Sequence, residues 1–187
     1  MAGVRDVAVL VGSLRKESVT RKIVLAMKGI APPSLALDII EIGNLAMYNQ
    51  DLETEMPPRE WVDFRNRISR ADALLFATPE YNRSIPGCLK NAVDVGSRPP
   101  GNSVFNGKPG AIVSVTPYGL GAFGANHHLR QALVYVNVLA MAQPEAYVSQ
   151  AGELVDADYR ITKEESKRFF MNFLTAFAAW IEKTRTA

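Results

Sequence analysis

The run Ala73-Leu74-Leu75-Phe76-Ala77 has no polar residue to turn toward water, and it stops at Pro79-Glu80-Tyr81-Asn82-Arg83-Ser84-Ile85-Pro86-Gly87. So short and uniformly apolar a run reads as a strand buried on both faces. The stop at a Pro/Asn/Gly-rich loop, with a helical pattern restarting at Gly87, is how an open α/β sheet makes a ligand crevice at the carboxyl edge of its strands.

The loop's composition suggests what it holds. Pro79 and Pro86 fix φ at both ends and remove two amide donors, so the N–H groups between them can be held for a planar, acceptor-rich ring edge. Tyr81 and Ile85 add flat and apolar surface. A flavin suits such a loop, with carbonyls at its pyrimidine end and an apolar tricycle. By itself the stretch is equally a surface turn between a strand and a helix.

Val7-Ala8-Val9-Leu10-Val11 repeats the pattern of a central parallel strand and ends at Gly12. Gly12 to Thr20 then leads into a helical pattern through Ile23, Leu25, Ala26 and Met27. Strand, hydroxyl-rich loop and helix together offer a phosphate backbone N–H groups and the positive end of a helix dipole. Ser13, Ser18 and Thr20 supply hydroxyls and Arg15 supplies charge, while capping of the helix by Ser18 or Thr20 is a compatible reading. Neither G-x-x-x-x-G-K-S/T nor G-x-G-x-x-G is present, which favours a single phosphate over a nucleotide di- or triphosphate.

Further along, Ala36 to Ile42 is strand-like, and a helix is expected from about Arg59, with Trp61 in the core. Gly87 to Val95 reads as a helix with a Lys90–Asp94 pair, and Ser97 to Lys108 as a surface connection. Ala111 to Val115 is a fourth strand, followed by a second Gly-rich loop from Thr116 to Gly124 at the same sheet edge. A helix carrying His127 and His128 is expected to run on through Met141, apolar nearly all round, and so to be deeply buried or covered by another subunit. Pro144 to Val148 is the expected fifth strand. Thr162 and Glu165 predict a capping box for a last helix that ends near Lys183, with Phe169, Phe170, Phe173, Leu174, Phe177 and Ile181 on its apolar face.

The chain's 187 residues, 48% of them apolar, suffice for one α/β domain spanning 1–187. Its net charge of +2 comes without any block of like charge, which argues against a nucleic-acid tract. The single cysteine, Cys88, allows no internal disulfide and reads as a packed residue rather than a nucleophile. Adjacent His127 and His128 cannot form the i, i+4 pair of a zinc helix, so no metal site is expected. With no signal-like start and no apolar run long enough for a membrane span, a cytoplasmic location is expected.

Taken together, Gly12-Ser13-Leu14-Arg15, Pro79-Glu80-Tyr81-Asn82, Pro86-Gly87, Leu89-Lys90-Asn91-Ala92 and Asp94 resemble the NADPH-dependent FMN reductase family, above all its bacterial quinone/chromate reductases. The resemblance implies a flavodoxin-like fold, a doubly wound parallel sheet of order 2-1-3-4-5 with helices on both faces. It also implies bound FMN, NADPH or NADH as electron donor, and a homodimer or homotetramer. Carried over, the phosphate would lie on Ser13, Arg15, Ser18, Val19 and Thr20. The ring edge would lie on Pro79, Glu80, Tyr81 and Asn82, with Ser84 as a neighbour and Thr116 and Tyr118 approaching from the fourth strand.

Three positions depart from the family pattern. Thr20 stands where relatives often have Asn, Arg83 where many have Tyr, and Gly124 where close relatives have Arg. A relocated charge is one reading, with Arg83 of one subunit pairing with Glu145 of another near His127. The expected chemistry is ping-pong transfer from NAD(P)H through FMN to quinones, chromate or flavins, with no catalytic acid or base. A flavodoxin-type electron carrier, without its own NAD(P)H oxidation, is the alternative.

Overall fold

The computed structural model describes residues 3–185 and shows a parallel sheet between two helical layers. Strands β1 (Arg5–Val11), β2 (Leu35–Ile40), β3 (Ala73–Thr78) and β4 (Pro109–Val115) lie in the order β2-β1-β3-β4. On the outer edge of β4, β5 (Leu139–Ala140) pairs with its start and β6 (Ala146–Val148) with its end. All these pairings are parallel, and the order is that of a flavodoxin-like sheet.

Alternation along the central strands builds two cores. Val7, Val9 and Val11 of β1, with Leu75 of β3 and Val113 of β4, face α1 (Val19–Gly29) and α5 (Glu164–Arg185) through Ile23, Met27, Phe173 and Phe177. Ala8, Leu10, Leu74, Phe76 and Ile112 face α2 (Arg59–Arg70), α3 (Gly87–Gly96) and α4 (Phe123–Tyr135) through Trp61, Ile68, Leu89 and Leu133. Only a strand covered on both faces tolerates so unbroken an apolar run. Trp61 is fully buried, as expected, and its Nε1 donates to the Ala46 carbonyl. Lys90 and Asp94 pair at 2.7 Å on α3, a contact worth about 0.2–0.5 kcal/mol.

Four expectations need correction. The chain leaves α4 at Val136 and turns through Asn137 at φ 56°, so Val138 to Met141 are not helical. Val136, Val138 and Met141 are buried because they return to the edge of β4, not because a helix is enclosed on all sides. The helix itself buries Ala125, Leu129 and Leu133 and exposes His127, His128, Val134 and Tyr135. The expected fifth strand from Pro144 to Val148 is present as β6, and β5 is an additional strand ahead of it.

The capping box is absent, since the Thr162 hydroxyl donates to the Glu153 carbonyl and α5 starts at Glu164. Phe169 lies at the border of that helix's apolar face, 38% exposed and edge-on to Phe170. Finally, the connection before β4 is not all surface. Phe105 is fully buried in van der Waals reach of Gly96, whose missing side chain makes room for the ring.

Candidate functional site

Parallel strands bring their carboxyl ends to one edge, and the loops after β1, β3 and β4 meet there. The first two are held close. Gly12 N donates to Ala77 O at 2.8 Å, and a Cβ at Gly12 would stand 3.1 Å from Leu89 and 3.4 Å from Pro79. Glycine at this position lets the two loops pack this closely.

At one end of the edge, Ser13, Ser18 and Thr20 are buried. The Ser18 side chain caps α1 by accepting from Arg21 N at 3.1 Å, which leaves its own hydroxyl proton for another partner. Val19 and Thr20 occupy the first helical turn, where helix geometry gives the amides no acceptor within the helix. Arg15 stands exposed at the rim. Donors and positive charge therefore converge here, and together they suit a dianion.

At the other end, Tyr81 and Ser84 exchange backbone hydrogen bonds of 2.9 and 3.0 Å around Asn82 and Arg83. Both central residues have positive φ, 51° and 64°, as in a type I′ hairpin turn. Glu80 bridges the turn and α4. Its Oε2 accepts from Ala125 N at 3.1 Å and its Oε1 from Arg83 Nη1 at 3.0 Å. Ser84 Oγ lies 3.0 Å from His128 Nδ1, so the hairpin is fastened to the first turns of α4 at two points.

The loop after β4 is anchored from below. Thr116 N donates to Val148 O, and Thr116 O accepts from Ala151 N. Gly121 has φ 56°, and a Cβ there would come within 2.5 Å of Tyr147. No other residue fits without moving the backbone of β6.

A cleft of about 200 Å³ lies between these loops. Ser13, Arg15, Ser18, Val19, Thr20, Pro79, Glu80, Tyr81, Thr116 and Tyr118 line it, with Val115 and Pro117. Of the residues singled out from the sequence, Asn82 and Ser84 do not line it. They belong to the hairpin that forms its rim.

Several contributors escaped the sequence reading. Fully buried Ser114 donates to Gly121 O at 2.6 Å and accepts from Asn126 Nδ2 at 3.2 Å. Asn126 in turn accepts from Arg130 Nε at 3.0 Å, and Arg130 also donates to Met141 O. This relay fixes the β4 loop to α4. Its signal in the sequence was a serine inside an apolar strand and an asparagine on the Ala125/Leu129 stripe.

Beside it, Phe123 packs on His127 and Tyr147 at centroid distances of 4.1 and 5.4 Å. The Tyr147 hydroxyl donates to Glu145 at 2.7 Å and lies 3.1 Å from His127 Nε2. Burial, then the bond to Glu145 and its charge, push the Tyr147 phenol up to about 12. Burial likewise pushes the Cys88 thiol up, away from nucleophilic behaviour. Among the described residues, no group of three or more His, Cys, Asp or Glu side chains is placed to hold a metal ion, and no helix is long and apolar enough to cross a membrane.

Comparison with known proteins gives consistent results. Residues 5–153 match the family described as NADPH-dependent FMN reductase. A quinone reductase of Pseudomonas putida is 52% identical over 99% of both chains. A 2-hydroxy-1,4-benzoquinone reductase of a Burkholderia species is 40% identical over 96% of this chain and 97% of its own. Among solved structures, FerB of Paracoccus denitrificans, described as a flavoenzyme NAD(P)H:(acceptor) oxidoreductase, superposes with a TM-score of 0.92. It is 40% identical and covers 97% of this chain and 99% of its own.

Proposed function

The chain belongs to the NADPH-dependent FMN reductase family, and from that premise we propose that the cleft at the ends of β1, β3 and β4 is its FMN site. The protein is an enzyme, an FMN-dependent NAD(P)H oxidoreductase of the quinone and flavin reductase class. The observation that carries the assignment of the site is convergence. Three loops far apart in sequence supply a single cleft with phosphate-type donors at one end and flat, apolar surface at the other.

The donor set fits the group. Ser13, Ser18 and Thr20 with the Val19 and Thr20 amides would hold the phosphate, and Arg15 would close over it. The loop from Pro79 to Asn82 would meet the pyrimidine edge, with Ser84 behind the turn. The Glu80 and Asn82 amides would be its donors, because Pro79 has none and the Tyr81 amide is bonded to Ser84 O. Thr116 and Tyr118 would flank the ring from the β4 side. When bound, FMN supplies the two-electron chemistry between NAD(P)H and an acceptor. The chain's work is to bind and orient it, to place donors where negative charge develops, and to leave one side open. No side chain is assigned as general acid or base.

One open side would serve donor and acceptor in turn, which makes the turnover ping-pong. Quinones are the first acceptors to test, because relatives carry that name; chromate and free flavin follow. A cytoplasmic location and a homodimer or homotetramer complete the proposal. Arg83 bonds Glu80, and Glu145 bonds Tyr147, within the same chain. An Arg83–Glu145 pair between subunits would have to replace both contacts.

Stopped-flow mixing of the flavin-loaded protein with NADPH and with NADH, followed by a panel of acceptors, tests the reading. Parallel double-reciprocal lines are expected. Intersecting lines would rule out the shared face, and a protein that takes up no FMN would overturn the site.

A further inference from the structure

The hairpin at the rim of the cleft carries a residue that local rules disfavour. The second central position of such a turn usually takes glycine, because in the left-handed region a side chain crowds the next carbonyl. Here it is Arg83, at φ 64°. Strain kept at the edge of a binding cleft calls for a role that offsets it.

The guanidinium gives that role a direction. Arg83 is 79% exposed at its side chain, yet it bonds Glu80, whose side chain is only 14% exposed and belongs to the wall of the cleft. The other Glu80 oxygen takes the Ala125 amide in the first turn of α4. Gly124 keeps that geometry open, since a Cβ there would stand 3.0 Å from Glu80 Oε2 and 3.1 Å from Arg83 O. One largely buried carboxylate beside the ring site is thus balanced by a single arginine and a helix N-terminus.

We propose that the Glu80–Arg83 pair sets the electrostatic potential of the cleft wall and thereby tunes the reduction potential of the flavin bound there. The inference rests on the FMN reading of the cleft. Two-electron reduction leaves negative charge on the flavin's pyrimidine side, so an uncompensated carboxylate in the wall opposes reduction and a cation favours it. Arg83 acts through Glu80 and need touch no reacting atom. The diagnostic readout is therefore a potential rather than a rate.

The test is the two-electron midpoint potential of FMN bound to the wild type, Arg83→Gln, Glu80→Gln and the double variant, measured by equilibration with a reference dye. Arg83→Gln should shift the oxidised-to-reduced ratio about tenfold toward oxidised, about 30 mV lower for a two-electron couple. Glu80→Gln can keep the bond to Ala125 N through its amide oxygen while it loses the charge and the bond from Arg83, and it should shift the ratio the opposite way. The double variant should return near the wild type. Added salt should shrink the Arg83→Gln effect, because that side chain faces solvent.

Shifts of the same sign in both single variants, or ratios that stay within twofold of wild type, would overturn the inference and leave the pair as a loop fastener. Should Glu80→Gln fold poorly, Arg83→Gln alone still decides the sign. Wild-type protein that binds no FMN would overturn the functional reading itself, an outcome distinct from FMN bound at unmoved potentials.

Discussion

At the α1 end of the cleft, the phosphate-type donors come from one continuous stretch. Ser13, Ser18 and Thr20 lie within eight residues and depend on a helix start that Ser18 caps by itself. At the α4 end, the arrangement depends on contacts between elements. The hairpin of β3, the loop of β4 and the first turns of α4 hold one another through Glu80, Ser84, Ser114 and Asn126, and Leu120, Gly121 and Ala122 all stand at positive φ. One end follows from backbone rules that act over a helical turn, the other from contacts between elements. Damage should therefore stay local at the first end and spread at the second.

The largest expected effect is at the second end. Gly121→Ala combines a left-handed backbone with a Cβ 2.5 Å from Tyr147. Strain and overpacking together should cost about 3 kcal/mol of stability. Thermal unfolding followed by circular dichroism would measure it. A variant within about 0.5 kcal/mol of wild type would mean that the two ends do not differ as argued.

Arg15→Ala probes the first end. Loss of a charge-assisted contact should weaken FMN by about 1.5–3 kcal/mol, roughly tenfold to a hundredfold, while riboflavin binding and the melting temperature stay nearly unchanged. Titration with both flavins gives the answer. Equal losses for riboflavin would remove Arg15 from the phosphate.

Ser114→Ala should cost about 1–3 kcal/mol, because it leaves the buried Asn126 amide and the Gly121 carbonyl short of a partner. Hydrogen exchange would locate the loss. The comparison predicts faster exchange in 116–124 and at the start of α4, with α1 untouched.

The same contrast explains what could be read in advance. Unbroken apolar runs at 7–11 and 73–77, and a third at 111–115 interrupted only by Ser114, announce a doubly wound sheet, and hydroxyls between a strand and a helix announce an anion site. Most candidate residues indeed line one cleft. Illegible were the places where tertiary contacts override local pattern. Val136, Val138 and Met141 continue an apolar pattern that looks helical, yet they return to the edge of β4. Asn82 and Arg83 adopt a turn usually signalled by Asn-Gly. Thr162 and Glu165 spell a cap, but the Thr162 hydroxyl is drawn to Glu153 instead.

The smallest effect expected is a pH dependence at the α4 end. The Tyr147 phenol is raised to about 12 in the fold, above its ordinary value near 10. A group whose proton is held more tightly when folded stabilises the protein fully below its unfolded pKa and loses that contribution as pH rises through the folded one. Stability should therefore decline between about pH 10 and pH 12, over a window set by this shift. Tyr147→Phe should flatten that part of the curve, since it removes the titrating hydroxyl while keeping the ring against Phe123. The variant also leaves Glu145 without its phenol donor, so a modest loss near neutral pH is expected alongside. Urea unfolding of both proteins at pH 8 and pH 11 separates the two effects. An equal decline in wild type and variant would show that Tyr147 is not the group responsible. The α1 end, whose hydroxyls do not titrate in this range, should keep its grip on phosphate until global unfolding sets in.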